Sequence, residues 1–130
     1  MSLNNHATYK TFIASASITA LTLVKQDNNA KIVPCTTSDD TPIGVAQISG
    51  ASGDAINVCV SGLSRVVAGG TITSGTHFFV MPGLAGKVYA YDGSAESTQI
   101  IAGRFLPNVA NTAASANEEI EILFNVSLGV

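Results

Sequence analysis

The side chains able to do chemistry are few and far apart. His6 and His77 stand alone, with no carboxylate at a spacing that would orient either one as a general base. Cys35 and Cys59 lie 24 positions apart, without a CxxC pair or a companion histidine cluster. A zinc site wants four ligands at short paired spacings, so two buried thiols or one disulfide remain for them. Asp39 and Asp40 are adjacent and point in opposite directions, whereas a hard cation needs several converging oxygens. They read as a solvated loop. Glu118, Glu119 and Glu121 form the dense acidic cluster of the chain. It could face a basic patch on a partner, or it could act as a gatekeeper that keeps the last strand soluble. Gly83-Leu84-Ala85-Gly86 is a turn and not a phosphate cradle, because no helix start or Lys-Ser/Thr follows it. HExxH, GxSxG, P-loop and GxGxxG patterns are absent. The expectation is a protein that is not an enzyme, with no catalytic residues, no bound metal and no cofactor.

What could instead carry function is a contact surface. Aromatic residues are the usual anchors of interfaces. Phe78 and Phe79 are adjacent and must face opposite sides of a strand, so one of them lies outside the core. Tyr89 and Tyr91 share a face by the same alternation. With Tyr9 and Phe12 near the N-terminus, these six are the candidate interface residues; the alternative is that all are core or edge residues.

The elements that would position them are short apolar runs separated by Gly, Asn, Asp, Pro and Ser, the pattern of an all-β domain. Residues 21–25 and 31–35 form a hairpin around the turn-forming Asp27-Asn28-Asn29. A third strand covers 43–47. Ile56, Val58 and Val60 alternate with Asn57, Cys59 and Ser61, and the pattern continues through 63–67 past Gly62. Strands at 77–80, 87–91, 99–105 and 119–124 follow, with Asp92-Gly93 a strong turn pair. In the last one, Ile120, Ile122 and Phe124 alternate with Glu119, Glu121 and Leu123. Residues 108–117 read as a long loop. Residues 14–23 compete weakly as a helix, since Ser, Ile and Thr lower the propensity. The expected fold is all-β, a compact barrel or sandwich of eight to ten short strands with at most one short helix. Residues 1–12 show neither periodicity nor turn chemistry and read as an N-terminal arm that orders only against something else. Residues 13–130 form the single β domain.

The surface of such a domain is unusual. Of 130 residues, 46% are hydrophobic but only 12% are charged, about half the roughly 25% of an average soluble domain. Low charge fits an exterior covered by partner subunits, because interface cores are depleted in charge. It fits equally a β protein with Thr- and Ser-rich outer faces. The net charge of −3 argues against a nucleic-acid partner, which needs a basic footprint. The apolar run 12–24 carries Ser15, Ser17, Thr19 and Thr22, too polar and too short to span a bilayer. It also lacks the order of a secretory signal. Synthesis in a reducing cytoplasm and no membrane partner are therefore expected.

Several stretches taken together resemble a family of small tailed-phage proteins that decorate or cement the capsid. They are the hairpin over 21–35, Ile43-Gly44-Val45-Ala46, Ala51-Ser52-Gly53-Asp54, Val58-Cys59-Val60-Ser61-Gly62-Leu63 and Val67-Ala68-Gly69-Gly70 with Ile72 and Ser74-Gly75. Gly86-Lys87-Val88, Gln99-Ile100-Ile101-Ala102-Gly103-Arg104 and the closing strand 119–124 complete the order. The resemblance implies a compact β-barrel or sandwich on the outer surface of the virion, as a homotrimer or, in some phages, a homodimer. It implies the major capsid protein as partner and stabilisation of the expanded shell as function. The arm would order on that shell by adding a strand to a sheet edge, so its removal should weaken attachment and leave the domain folded. The competing expectations are a small β-barrel binding module, which the absence of Trp disfavours, and a host-adhesion component of the virion.

Overall fold

The computed structural model describes residues 7–38, 40–73, 79–90, 100–106 and 113–128. Strand β1 is Thr8–Ile13, β2 Leu23–Gln26, β3 Ile32–Pro34, β4 Gly44–Ala46 and β5 Ala55–Val67. Then come β6 Ile72–Thr73, β7 Phe79–Pro82, β8 Val88–Ala90, β9 Ile100–Phe105, β10 Ala113–Ala114 and β11 Glu119–Leu128. One 3-10 turn, Leu84–Gly86, precedes β8. The main sheet runs β3-β2-β4-β5-β11-β9-β7-β8, with β1 on β5, and every pairing in it is antiparallel. It curls strongly into a half-barrel, and the fold is all-β. No α-helix occurs among the described residues.

The 13-residue β5 is the spine of the molecule. Its first half lies between β1 and β4, since Val58 and Cys59 each have a partner in both. Its second half pairs with β11 from Val67↔Glu119 to Gly62↔Phe124. The change of neighbour falls at Gly62, whose φ of +100° is a conformation that only glycine adopts without strain. Two residues earlier, Val60 is passed over in the register with β1, a bulge that bends the strand further.

Both faces of the short front strands are buried, which explains why their sequences read as apolar runs more than as alternations. Leu23, Val45 and Cys59 enter a large core shared with Val66, Val80, Phe105, Ile122 and Phe124. Val24, Ala46, Ile56 and Val58 face the other way, into a second core closed by Ala14 and Ile18. Of residues 14–23, the weak helix candidate, 14–21 thus form an irregular cover, and Leu23 begins β2. The cover is pinned by the Ala14↔Ile32 and Ile18↔Gly50 bridges, and Leu21 turns the chain with φ +65°.

Both ends of the sheet are closed by the chain itself. The outer edge of β3 receives the Ser15 N–H at the Ile32 carbonyl, 3.0 Å away. The outer edge of β8 receives the Gly69 N–H at the Val88 carbonyl, 2.7 Å away. One expectation from the sequence changes here. Thr8–Phe12, assigned to an arm awaiting a partner, belongs to a strand in the chain's own sheet, hydrogen-bonded along the first half of β5. The cause is long-range backbone pairing, which leaves no periodicity because almost every side chain of β1 is exposed. Residues 1–6 lie outside the described residues.

Candidate interaction surface

Among the interface candidates, Phe79 starts β7 opposite Arg104, which in turn pairs with Leu123 of β11. Leu123 faces Leu63 of β5. Because Val80, Phe105, Ile122 and Phe124 point into the core, alternation throws Phe79 and Leu123 onto the outer face. They are 46% and 42% exposed. With Ile101, Gly103, Arg104 and Asn125 they line a shallow, largely apolar groove of about 180 Å³. Two rows along, the outer face turns ionic. Arg65 lies opposite Glu121 in the ladder, and its Nε is 3.3 Å from Glu119 Oε1.

The acidic cluster is thereby divided among separate tasks. Glu118 Oε1 accepts the Ser115 N–H at 2.7 Å and holds the turn before β11, where Asn117 has φ +70°. Glu119 pairs with Arg65, while Glu121 stays on the solvent side.

A second exposed group sits on β1. Tyr9 is 51% and Ile13 41% exposed. Phe12, half-buried, turns to the second core, and the Lys10 ammonium lies 5.8 Å from the centre of its ring. Tyr89 does not join either patch. Its ring occupies the space that a Cβ on Gly69 or Gly83 would take, so it packs flush against both backbones where the sheet closes. Phe78 and Tyr91 lie outside the described residues.

Among the described residues, Ile13, Ile48, Leu84 and Leu123 complete the set of large exposed apolar side chains, and they were not singled out from sequence. Only Leu123 left a signal there, as a leucine in the outward series Glu119, Glu121, Leu123.

The titratable groups act on the scaffold. Asp40 is partly buried, which disfavours its charge. Lys25 Nζ at 2.8 Å and the N–H groups of Thr36 and Thr37 outweigh that cost and hold its carboxyl below the usual range. Asp27 is also held low by the Ser15 hydroxyl and the N–H groups of Asn29 and Lys31, which tie the β2–β3 turn. Both cysteines are free and buried. Burial pushes the Cys35 thiol up to about 12, with the nearby Asp40 charge adding to the effect, and burial likewise raises Cys59. Among the described residues no three His, Cys, Asp or Glu side chains converge as a metal site, and no helix is long and apolar enough to cross a membrane.

The molecule is thus a β scaffold of the curled half-barrel class, whose distinctive surface features are an apolar outer row and an exposed strand. Neither a scan of protein-family models nor a search of curated proteins finds a match. The chain is similar in fold to the N base of the head fiber gp8.5 of bacteriophage phi29, seen in a crystal structure. The TM-score is 0.66 at 17% identity, over 92% of this chain and 94% of that one.

Proposed function

We propose that this protein is a structural component of a phage virion that sits on the outer surface of the head as a decoration or cement protein. The major capsid protein would be its partner. The observation that carries this is the fold likeness to a phage head fiber base, which extends over 92% of the chain. The sparse charge and the Phe79–Leu123 row supply what such a protein needs, a contact face with little desolvation cost. Binding the assembled shell and not the dissociated subunits stabilises the shell by mass action. Self-association multiplies modest contacts by raising effective concentration.

A second reading is favoured by the same likeness. The neighbour is the base of a head fiber, so this chain could anchor a projecting adhesion element and leave the shell's stability unchanged. One experiment separates the two. Expanded heads lacking the protein are incubated with the purified chain, sedimented, and heated. Co-sedimentation with a raised shell melting temperature supports decoration. Co-sedimentation with an unchanged melting temperature supports the fiber base, and no co-sedimentation defeats both.

A further inference from the structure

Lys and Arg are the side chains that a trypsin-type protease takes into its specificity pocket, and this chain has six of them in all. Lys10, Lys25, Arg65 and Arg104 lie within β1, β2, β5 and β9. Lys31 and Lys87 stand one position ahead of β3 and β8. Among the described residues, the connecting stretches 14–22, 27–30, 35–38, 40–43, 47–54, 68–71 and 115–118 contain neither Lys nor Arg. Nor do the stretches 74–78, 91–99 and 107–112, which lie outside the described residues. Loop tips are where proteases preferentially nick a folded chain, and here the connecting stretches offer a trypsin-type enzyme nothing to hold. None of the six basic residues is followed by proline, so the sequence alone leaves every one of these bonds cleavable.

At the five sites from Lys25 onward the fold withholds the bond. Ile32, Val66, Val88 and Phe105 directly follow Lys31, Arg65, Lys87 and Arg104, and each is at most 2% exposed. Lys25 follows the fully buried Val24, and its Nζ is held 2.8 Å from Asp40. The backbone is engaged as well. Arg104 pairs with Phe79 on one side and Leu123 on the other. The Lys31 carbonyl accepts the Asp27 N–H at 2.8 Å, and the Lys87 carbonyl accepts the Gly83 N–H at 3.0 Å. A protease binds its substrate as an extended segment freed from such partners. Cutting any of the five therefore requires the local sheet to open and a core residue to leave it. We propose that the placement of the basic residues closes the folded chain, from residue 11 onward, to trypsin-type proteases. The scarcity of Lys and Arg outside the strands then protects against one class of enzyme, in addition to easing desolvation at a contact face. This property stands whether or not the protein binds a phage head.

The test uses the full chain. Native protein is incubated with trypsin, and the products are weighed by mass spectrometry. The expected product keeps residues 11–130 in one piece, whether or not the bond after Lys10 is cut. In urea that unfolds the chain, cleavage should follow at all six basic residues. Two variants place a lysine in a connecting stretch. Ser52 is exposed beside Gly53, where no atom lies within 4 Å of a Cβ. Ala116 is exposed in the turn before β11. Ser52→Lys and Ala116→Lys should each be cut after the new lysine, roughly tenfold or more faster than the wild type is cut anywhere beyond Lys10. A native wild-type fragment ending at Lys25, Lys31, Arg65, Lys87 or Arg104, while circular dichroism still reports the folded state, would overturn the proposal. Resistance of both variants would overturn it too, because general rigidity and not the placement of basic residues would then protect the chain.

Discussion

Asp40 shows how one side chain replaces a rigid turn. Its Oδ1 holds Lys25 of β2 at 2.8 Å, while its Oδ2 accepts the N–H groups of Thr36 and Thr37 at 2.7 and 3.1 Å. The carboxylate therefore ties the loop after β3 to the hairpin. Asp40→Asn should cost about 1 kcal/mol at pH 7, given one charge-assisted bond lost at a partly buried pair. A carboxyl held low in the folded state stabilises above its unfolded value near 4, and that stability is lost as the pH falls through the folded value. Urea melts of wild type and variant should consequently differ at neutral pH and converge in acid. The cysteines behave in the opposite sense. With Cys35 pushed to about 12 and Cys59 also raised, both by burial, little thiolate exists at pH 8. Neither should react with a thiol reagent in the native protein, and both should react once it is denatured; rapid labelling of the folded chain would contradict their burial.

At the scale of elements, the long β5 holds the design together, and its glycine is the weak point. Gly62→Ala puts a side chain at φ +100° in mid-strand and should destabilise by about 1–3 kcal/mol, read as a lowered thermal midpoint. An Ala substitution at the open, positive-φ Gly53 makes the comparison informative, because no atom lies within 4 Å of a Cβ there. Strain alone then acts at Gly53, whereas at Gly62 it also disturbs the exchange of β1 for β11. Most strands were legible because local signals marked them. The turn Asp27-Asn28-Asn29 defined the β2–β3 hairpin, and Ile56, Val58 and Ile122, Phe124 alternated with polar residues. The continuation of β5 past Gly62 was legible for the same reason. β1 was not legible, since a strand held by backbone pairing to residues nearly fifty positions away leaves no trace in its own side-chain pattern. Alternation set Cys59 with Asn57 and Ser61, facing away from Ile56 and Val58, and the large core on that face takes it in, in line with the expectation of buried thiols. Of the candidate surface, Phe79 could be read from its neighbour Phe78, and Leu123 only from its place among glutamates. Tyr89 looked like an anchor, but the missing side chains of Gly69 and Gly83 give its ring a place within the fold.

For the whole molecule, the decisive property is that the core and the exposed apolar row reside in different residues. The core side chains face inward from both halves of the sheet, whereas Phe79 and Leu123 contribute 46% and 42% of their surface to solvent. A domain with 12% charged residues keeps such a row at the risk of aggregation, and occupancy of the row on the head would remove that risk. Phe79→Ser with Leu123→Ser should then change folding stability by no more than about 0.5 kcal/mol per site, as exposed positions do. Attachment to heads should weaken by about 2 kcal/mol, roughly thirtyfold in Kd, if the row is the centre of the contact. Sedimentation of wild type and the double variant with heads at fixed salt measures this. Unaltered head binding by Phe79→Ser with Leu123→Ser would move the contact to another face of the half-barrel, while leaving the fold untouched.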